Sequence, residues 1–502
     1  MTENINKQVG EGEKRASVDL SAKAEEAVKS ALVAGYSIDP NAQNGGQALK
    51  LESLEADLKN LTYGSNDFTI LPQLLNLGVV NAESTVEQYT TFLRHGRVGH
   101  QIFQPEIGIG SVNSPDMKKQ HVNLKFLVDV KQQSFAVQVA ASIEDAAKIN
   151  EEDAMIVLGK TMEWATFYGD SDLTSGDKGD GLEFDGLQKL IPDENHLDLR
   201  GGSLTPEVLN QAAVLIGHGF GVATDAYMPI GVKADFGNQF LGAQRIIVPT
   251  NDGTTAGVNV DKFISARGEI NLNGSTIMDA DDLLDLTQQP NPKAPAAPKF
   301  TAVEVTGANG QFSAEDTKDD QGNVIYPAEV NADLHYRVVA VGHHGDSFAS
   351  DDVASKVTAA DSGVQITVSL SSMQREIPDY VAIYRQALTD ENYYLIGRVP
   401  TSAMQDDNTI VFTDLNGRIP ATADVFVGEM RHNVIAMLQF IPMSKINLAV
   451  VTTATSFAIM TSVALALYIP KRFVQIHNVR YNNMKDNHMA GVNLKAFVGN
   501  KQ

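Results

Sequence analysis

Three stretches of this chain carry residue types that could do chemistry. Gly159-Lys160-Thr161 imitates the end of a phosphate-binding loop, where backbone N–H groups cradle phosphates and a lysine reaches them. The full pattern needs a glycine five residues before Gly159, and Ala154 stands there. It also needs a loop after a strand, whereas this triplet lies inside a helical pattern. The stretch from Gly169 to Gly186 gathers Asp170, Asp172, Asp177, Asp180, Glu183 and Asp185, oxygen ligands of the kind that hard cations take. An EF-hand spacing fails, because Ser175 stands where glycine is required and Gly181 where the bidentate acid is required. A solvated acidic loop is the better reading than a metal site. His343-His344 with Asp346 forms a third candidate, but it falls on a turn between strand patterns and reads as a plain loop. The chain has no G-x-S-x-G, no H-E-x-x-H, no G-x-G-x-x-G after a strand, and no cysteine. The sequence therefore assigns no catalytic residue, no cofactor-binding residue and no metal ligand, and it predicts a protein that is not an enzyme.

The elements around these residues are more informative. Glu151 to Tyr168 reads as one long helix, with Met155, Leu158, Met162 and Ala165 in one apolar row. Ala154, Val157, Thr161, Trp164 and Tyr168 form a second row beside it. Glu151-Glu152-Asp153 suits a helix start, where the dipole favours negative charge. The Gly- and Asp-rich loop from Gly169 cannot continue the helix, and Leu182 to Ile191 returns to the core. A further helix is predicted from Thr205 to Gly217, opened by Thr205-Pro206-Glu207. Ala226 to Val232 is a buried apolar segment, Ala234 to Leu241 looks helical, and Asn273-Gly274 signals a hairpin.

Residues 1–60 are polar and helix-prone, with short helices at 21–32 and 51–61, and read as an arm or a removable leader. Between 85 and 140, TVEQYTTFLRH, HVNLKFLVDV and QQSFAVQVA alternate as strands, a pattern that suits a projecting β-hairpin slightly better than an ordinary meander packed on the main sheet. Gln288 to Phe300 holds four prolines and reads as a stiff linker. Six short strands follow at regular spacing: FTAVEV, HYRVVAV, VQITVSL, YVAIYRQ, YYLIGRV and TIVFTDL. They predict a β-sandwich of immunoglobulin or fibronectin type III kind, inserted into a parent domain that resumes near Asp424. Residues 288–425 hold 19 acidic and 9 basic residues, whereas 426–502 hold 2 acidic and 8 basic. PKRFVQIHNVRY near the end reads as a strand pair.

At 502 residues the chain allows several domains, and its net charge of −23 repels nucleic acid backbones and anionic membranes. The absence of cysteine fits a reducing compartment. MTENINKQVGEGEKRASVDL has no apolar run after a basic region and is no secretory signal. Ile446 to Ile469 is uncharged and long enough to span a bilayer, but it is rich in Thr, Ser and β-branched residues. Two buried strands are the expected reading.

Five stretches together resemble the major capsid proteins of large contractile-tailed phages infecting Gram-positive bacteria. They are LRHGRVGH (93–100), KTMEWATFYGD (160–170), GLEFDGLQKLI (181–191), GFGVATDAYMPIGVKADF (219–236) and ADVFVGEM (423–430), in that order. The resemblance implies an α+β HK-ninety-seven-like capsid fold with an inserted immunoglobulin/fibronectin-like β-sandwich. It implies an N-terminal arm at 1–84, partly cleaved in the region Ser21 to Val28, and an extended β-loop at 85–140. A peripheral domain with the spine helix would occupy 141–204, and an axial domain 205–287. The sandwich would span 288–425 and protrude outward, with an axial return at 426–468 and a peripheral return at 469–502. The implied function is a structural head protein that self-assembles into hexamers and pentamers of an icosahedral shell around the phage dsDNA. Portal, scaffold and maturation protease are the implied partners. DNA contact is non-specific if any, there is no membrane, no cofactor, and the shell is assembled in the host cytoplasm. The alternatives are a bacterial surface or adhesion protein carrying a fibronectin-like module, and an enzyme with a cation-dependent acidic loop.

Overall fold

The computed structural model of the chain describes residues 67–94, 103, 106–108, 114–134, 146–173, 181–240, 247–250, 253–256, 260–279, 283–286, 289–318, 324–370, 376–389, 392–405, 408–449 and 454–481. The expected arm helices at 21–32 and 51–61, the cleavage region Ser21 to Val28, the end of QQSFAVQVA, Asp177 and Asp180 lie outside the described residues.

The central helix runs Ala146–Tyr168, so it begins five residues before its acidic cluster. Glu151, Glu152 and Asp153 therefore sit in the second turn and act by pairing rather than through the helix dipole. Glu151 meets Lys445 at 2.5 Å, Asp153 meets Lys131 at 2.6 Å and Glu152 meets Lys148 at 3.6 Å. Ala154 and Leu158 pack on Phe457 and Ile459, with Leu127 beside them. Met155, one position further round the helix, consequently faces solvent and is 40% exposed, contrary to its expected place in the apolar row. From Met162 onward burial extends almost all round, taking in Glu163, Ala165, Thr166, Phe167 and Tyr168.

One face of this helix lies on a four-stranded sheet. Lys125–Ser134 pairs antiparallel with Ala454–Leu467, which pairs antiparallel with Ile435–Asn447, and Val80–Asn81 joins the far edge in parallel. The uncharged stretch Ile446 to Ile469 is thus the end of one strand and the whole of the next, not two complete strands. Ala454–Leu467 lacks charge because it is paired on both edges and buried along most of its length. Among the described residues, no helix is long and apolar enough to cross a membrane.

A second, six-stranded sheet has the order His196–Asp198, Phe473–Arg480, Thr422–Gly428, Asp225–Pro229, Gly268–Ser275, Lys262–Ser265. Every residue of Thr422–Gly428 is buried. Helix Pro206–His218 packs on this sheet through Leu209, Ala212, Ala213 and Ile216, and its start is as expected. Thr205 Oγ1 accepts the Val208 N–H at 3.4 Å, with Pro206 in the first turn. The next helix is Ile230–Asn238, displaced toward the N-terminus from its predicted range because Pro229 ends the strand before it.

Three expectations change here. Asn273-Gly274 makes no hairpin: both lie within Gly268–Ser275, in parallel register with Tyr227 and Met228. Gly274 sits there because a Cβ would approach Ile230 Cγ1 at 3.3 Å. The actual turn is Ala266-Arg267, closed by Gly268 at φ +117°. PKRFVQIHNVRY contains one strand, Phe473–Arg480, preceded by a 3₁₀ turn at Pro470–Arg472. The two late segments also exchange places. Residues 435–467 belong with the central helix, whereas 473–480 belongs with 225–229 and 268–275, because backbone pairing joins them that way.

Residues 299–414 form two larger sheets sharing one core, besides the short pair Thr317–Lys318 with Val324–Tyr326. Lys299–Val305, Gly363–Ser369 and Thr409–Asp414 make one. The other contains Asp333–Gly342, Tyr380–Gln386 and Tyr393–Pro400, with two short strands on the outer edge of Asp333–Gly342. All six predicted strands are present. Leu334, Tyr336, Val338, Val381 and Ile383 face Val364, Ile366, Val368 and Ile410.

The parent sheet is packed tightly enough to predict a cost. A Cβ on Gly428 would lie 2.2 Å from the ring of fully buried Phe473. Gly428→Ala should lower unfolding stability by about 1–3 kcal/mol, and Phe473→Leu in the same chain should recover part of it. Chemical denaturation of the two variants checks this, and simple additivity of their losses would contradict it.

Candidate functional site

No catalytic constellation organises the described residues. The distinctive features are a junction at the C-terminal end of the central helix and two surfaces with exposed apolar side chains among the described residues.

The junction begins with Glu163, which is fully buried. Its carboxylate accepts the Thr69 N–H at 2.9 and 3.0 Å and the Thr69 hydroxyl at 2.8 Å, at the start of helix Ile70–Leu77. A carboxylate at a helix N-terminus meets free N–H groups and the positive end of the dipole. Burial nevertheless outweighs those bonds and holds the Glu163 carboxyl above the usual carboxylate range. One turn on, Phe167 and Tyr168 pack against Phe426 at ring distances of 5.4 and 6.0 Å, and Phe167 against Tyr227 at 5.9 Å. The Tyr227 hydroxyl in turn donates to Gln73 on helix Ile70–Leu77.

The inserted double sheet is fastened at the same point. Arg398 donates from Nη2 to the Tyr168 carbonyl at 2.8 Å, one of the orphan acceptors at a helix end. Its guanidinium also lies over the ring of Trp164, the one tryptophan of the chain, 5.2 Å from its centroid. A second tie runs the other way, from Arg200 to the Asn416 carbonyl at 2.9 Å and the Gln311 carbonyl at 2.6 Å.

The acidic loop turns out to be an ion-pair cage. Lys189 Nζ lies 2.5 Å from Asp170, 2.8 Å from Asp172 and 3.1 Å from Asp185. Burial opposes the Lys189 charge, but the three carboxylates outweigh it and raise its pKa. The ammonium thus occupies the centre a cation would take. Glu183 is held above the usual carboxylate range by burial, with Arg398 opposing. Gly169 and Gly186 bring the loop back against the helix: a Cβ on Gly169 would strike the Phe184 carbonyl oxygen at 2.3 Å. Lys160 and Thr161 line a cleft of about 510 Å³ with Trp164 and Arg398, yet both remain in mid-helix, where the Thr161 hydroxyl donates to the Val157 carbonyl at 2.9 Å. Gly159 is explained by Phe68, whose ring would lie 2.9 Å from a Cβ there. His344 Nδ1 sits 3.0 Å from Glu376, and its backbone N–H donates to the same carboxylate. Among the described residues, no group of three or more His, Asp or Glu is arranged to hold a metal ion.

The first exposed surface is the hairpin of Val86–Arg94 with Asp116–Asn123. It touches the body where Tyr89 packs edge-on to Tyr468 at 4.9 Å, and its open end is closed by the Leu124 N–H bonding the Thr85 carbonyl at 2.8 Å. Beyond the base, Phe92 and Met117 are exposed, as are Phe103 and Ile107 in the segment joining the strands. The second surface is the outer face of Lys125–Ser134. Leu127 and Lys131 turn toward the central helix, so Phe126, Val128 and Val130 turn away, each about half exposed.

Two measurements test the junction. Arg398→Ala should lower stability by about 1–3 kcal/mol, since a charged hydrogen bond and a cation–π contact go together; Arg398→Lys should recover less than half in urea melts. Glu163 has a folded pKa above its ordinary 4.5, so its contribution is full below that value and is lost as pH rises through the folded one. The melting-temperature advantage of the native chain over Glu163→Gln should therefore shrink as pH climbs from 4 toward 7, and a constant difference would refute the assignment.

Comparison with known proteins places these features. The family model described as SU10 major capsid protein matches residues 100–295. The major capsid proteins of Staphylococcus phage K and Staphylococcus phage S25-3 are each 42% identical over 458 residues, covering 91% of this chain and 95% of those proteins. Among solved structures, the capsid of cyanophage P-SCSP1u aligns with a TM-score of 0.41 and 7% identity, covering 88% of this chain and 97% of that one. The SrpI encapsulin of Synechococcus elongatus aligns with a TM-score of 0.35 and 8% identity, covering 88% and 97%. At 42% identity over nine-tenths of its length, the chain belongs to the phage major capsid proteins.

Proposed function

We propose that this structural protein, which is not an enzyme, builds the phage head shell as hexamers and pentamers of an HK-ninety-seven-like subunit enclosing the dsDNA genome. The observation that carries the reading is a pair of exposed apolar surfaces among the described residues. A projecting hairpin exposes Met117, and a sheet face exposes Phe126, Val128 and Val130. Head-to-tail contacts between such patches give rings where the rotation closes. The reading assigns the central helix and four-stranded sheet to a peripheral domain, the six-stranded sheet to an axial domain, and the hairpin to an extended loop reaching a neighbour. The insert at 288–425 serves as an immunoglobulin/fibronectin-like module on the outer surface. Portal, scaffold and maturation protease act as partners in the host cytoplasm, with arm cleavage near Ser21 to Val28. The adhesion reading has nothing in its favour beyond the sandwich itself.

Co-expression with the phage's assembly proteins, followed by electron microscopy, tests the proposal. Native chain should give shells, and a chain whose residues 87–122 are replaced by a short turn should stay folded yet give none. Shells from the shortened chain would remove the hairpin from the assembly contact.

A further inference from the structure

Helix Pro206–His218 ends in a way that the fold does not require. The Gly221 N–H bonds the Ile216 carbonyl at 3.0 Å and the Phe220 N–H bonds the Gly217 carbonyl at 3.0 Å. These two bonds form a Schellman motif, whose left-handed position is filled by glycine in most helices. Here that position is Phe220, at φ +59°. A side chain in this conformation is strained, and glycine would relieve it. Glycines stand on both sides, Gly219 held by close backbone packing and Gly221 by close side-chain packing. A Cβ on Gly219 would meet the Lys471 carbonyl oxygen at 2.7 Å, and one on Gly221 would meet Ile216 Cγ2 at 2.8 Å. The loop is therefore fixed, and it presents a phenylalanine that is 83% exposed. Stability explains neither the strain nor the exposure, and strain retained at an exposed residue points to function.

Cations outnumber anions in its surroundings. Arg267 Nε donates to the Gly221 carbonyl at 2.7 Å, and Lys471 and Arg472 back the loop. Arg431 joins them through Glu429, which it meets at 3.1 Å and which also pairs with Arg472 at 3.0 Å. Glu194 lies 3.7 Å from Lys471, so four cations face two anions. In a chain of net charge −23, this rim is an exception. The strongest complement on the page is residues 288–425, with 19 acidic against 9 basic residues. An exposed aromatic on a loop backed by an excess of cations has the composition of an interface hot spot.

We infer that Phe220 and its cationic rim dock onto the acidic insert, residues 288–425, of a second copy of this chain. The inference rests on the shell reading and names a contact within it. Phe220→Gly separates the contact from stability. It should raise the unfolding midpoint, because strain is lost, while reducing shell yield at least tenfold; Phe220→Tyr should restore the yield. Equal yield from Phe220→Gly overturns the proposal. The occupant is identified by replacing Phe220 with p-benzoylphenylalanine in co-expressed particles, irradiating them and sequencing the captured peptide. Capture of a peptide from 288–425 of another copy supports the assignment. Capture of a different phage protein, of DNA or of a peptide elsewhere in the chain overturns it, while the particles themselves leave the shell reading intact. Absence of shells from the native chain as well would count against that reading instead.

Discussion

The burial of one carboxylate, Glu163, sets the arrangement around the central helix. A bare carboxylate in an apolar interior is costly, and it is tolerated when donors converge on it. The donors are at the start of helix Ile70–Leu77, so that helix has one place to sit. Its apolar residues Ile70, Leu71 and Leu74 then fill the core shared with Met437, Leu438 and Val463. An apolar layer alone could slide by a turn with little loss. Glu163 prevents that, since any shift would strand its charge. The aromatic contact of Phe167 and Tyr168 with Phe426 then ties the same helix to the six-stranded sheet.

This junction also makes sense of the insert. Gly268–Ser275, where the chain departs, and Thr422–Gly428, where it resumes, both flank Asp225–Pro229. Their separation is two strand spacings, roughly 10 Å, and the chain between them leaves and re-enters the sheet on either side of Asp225–Pro229. Arg398 and Arg200 add ties in opposite directions, one from insert to helix and one from parent loop to insert. Two ties at separate points suppress rotation about the connecting segments. Inside the module, Arg385 is fully buried against Asp414 at 2.6 Å, Asn416 at 2.6 Å and Glu329 at 3.2 Å, and the Tyr336 hydroxyl donates to Asp414 at 3.0 Å. This network fixes how the two sheets meet.

How much could be read from residues depended on the range of the interaction. The six insert strands were legible because alternation is local, and so was the Thr205-Pro206 helix start. Alternation could also have revealed Arg385, which follows Val381 and Ile383 on the inward face of its strand. Glu163 left no such trace, since a glutamate in a helix reads as surface. The exchange of 435–467 and 473–480 between sheets was equally hidden. Both segments are apolar, and their partners lie some three hundred residues upstream, at Lys125–Ser134 and His196–Asp198. Asn273-Gly274 misled because a local turn signal was overruled by pairing with Asp225–Pro229. The acidic loop carries no local sign of its counter-ion, because Lys189 sits on the following helical turn and meets Asp170 and Asp172 only through the fold.

Charge and apolar exposure oppose each other in this subunit, and their balance explains why neither dominates. Phe126, Val128 and Val130 on an edge strand form the kind of surface that pairs indiscriminately. A net charge of −23 keeps separate copies apart at low ionic strength, so a single weak apolar contact does not hold them. Association must engage several patches at once to overcome that repulsion. This favours the one mutual geometry in which hairpin, sheet face and cationic rim all find partners. Repulsion thus acts as a filter on geometry rather than as a simple brake, and salt, by screening it, should admit misassembled contacts along with correct ones.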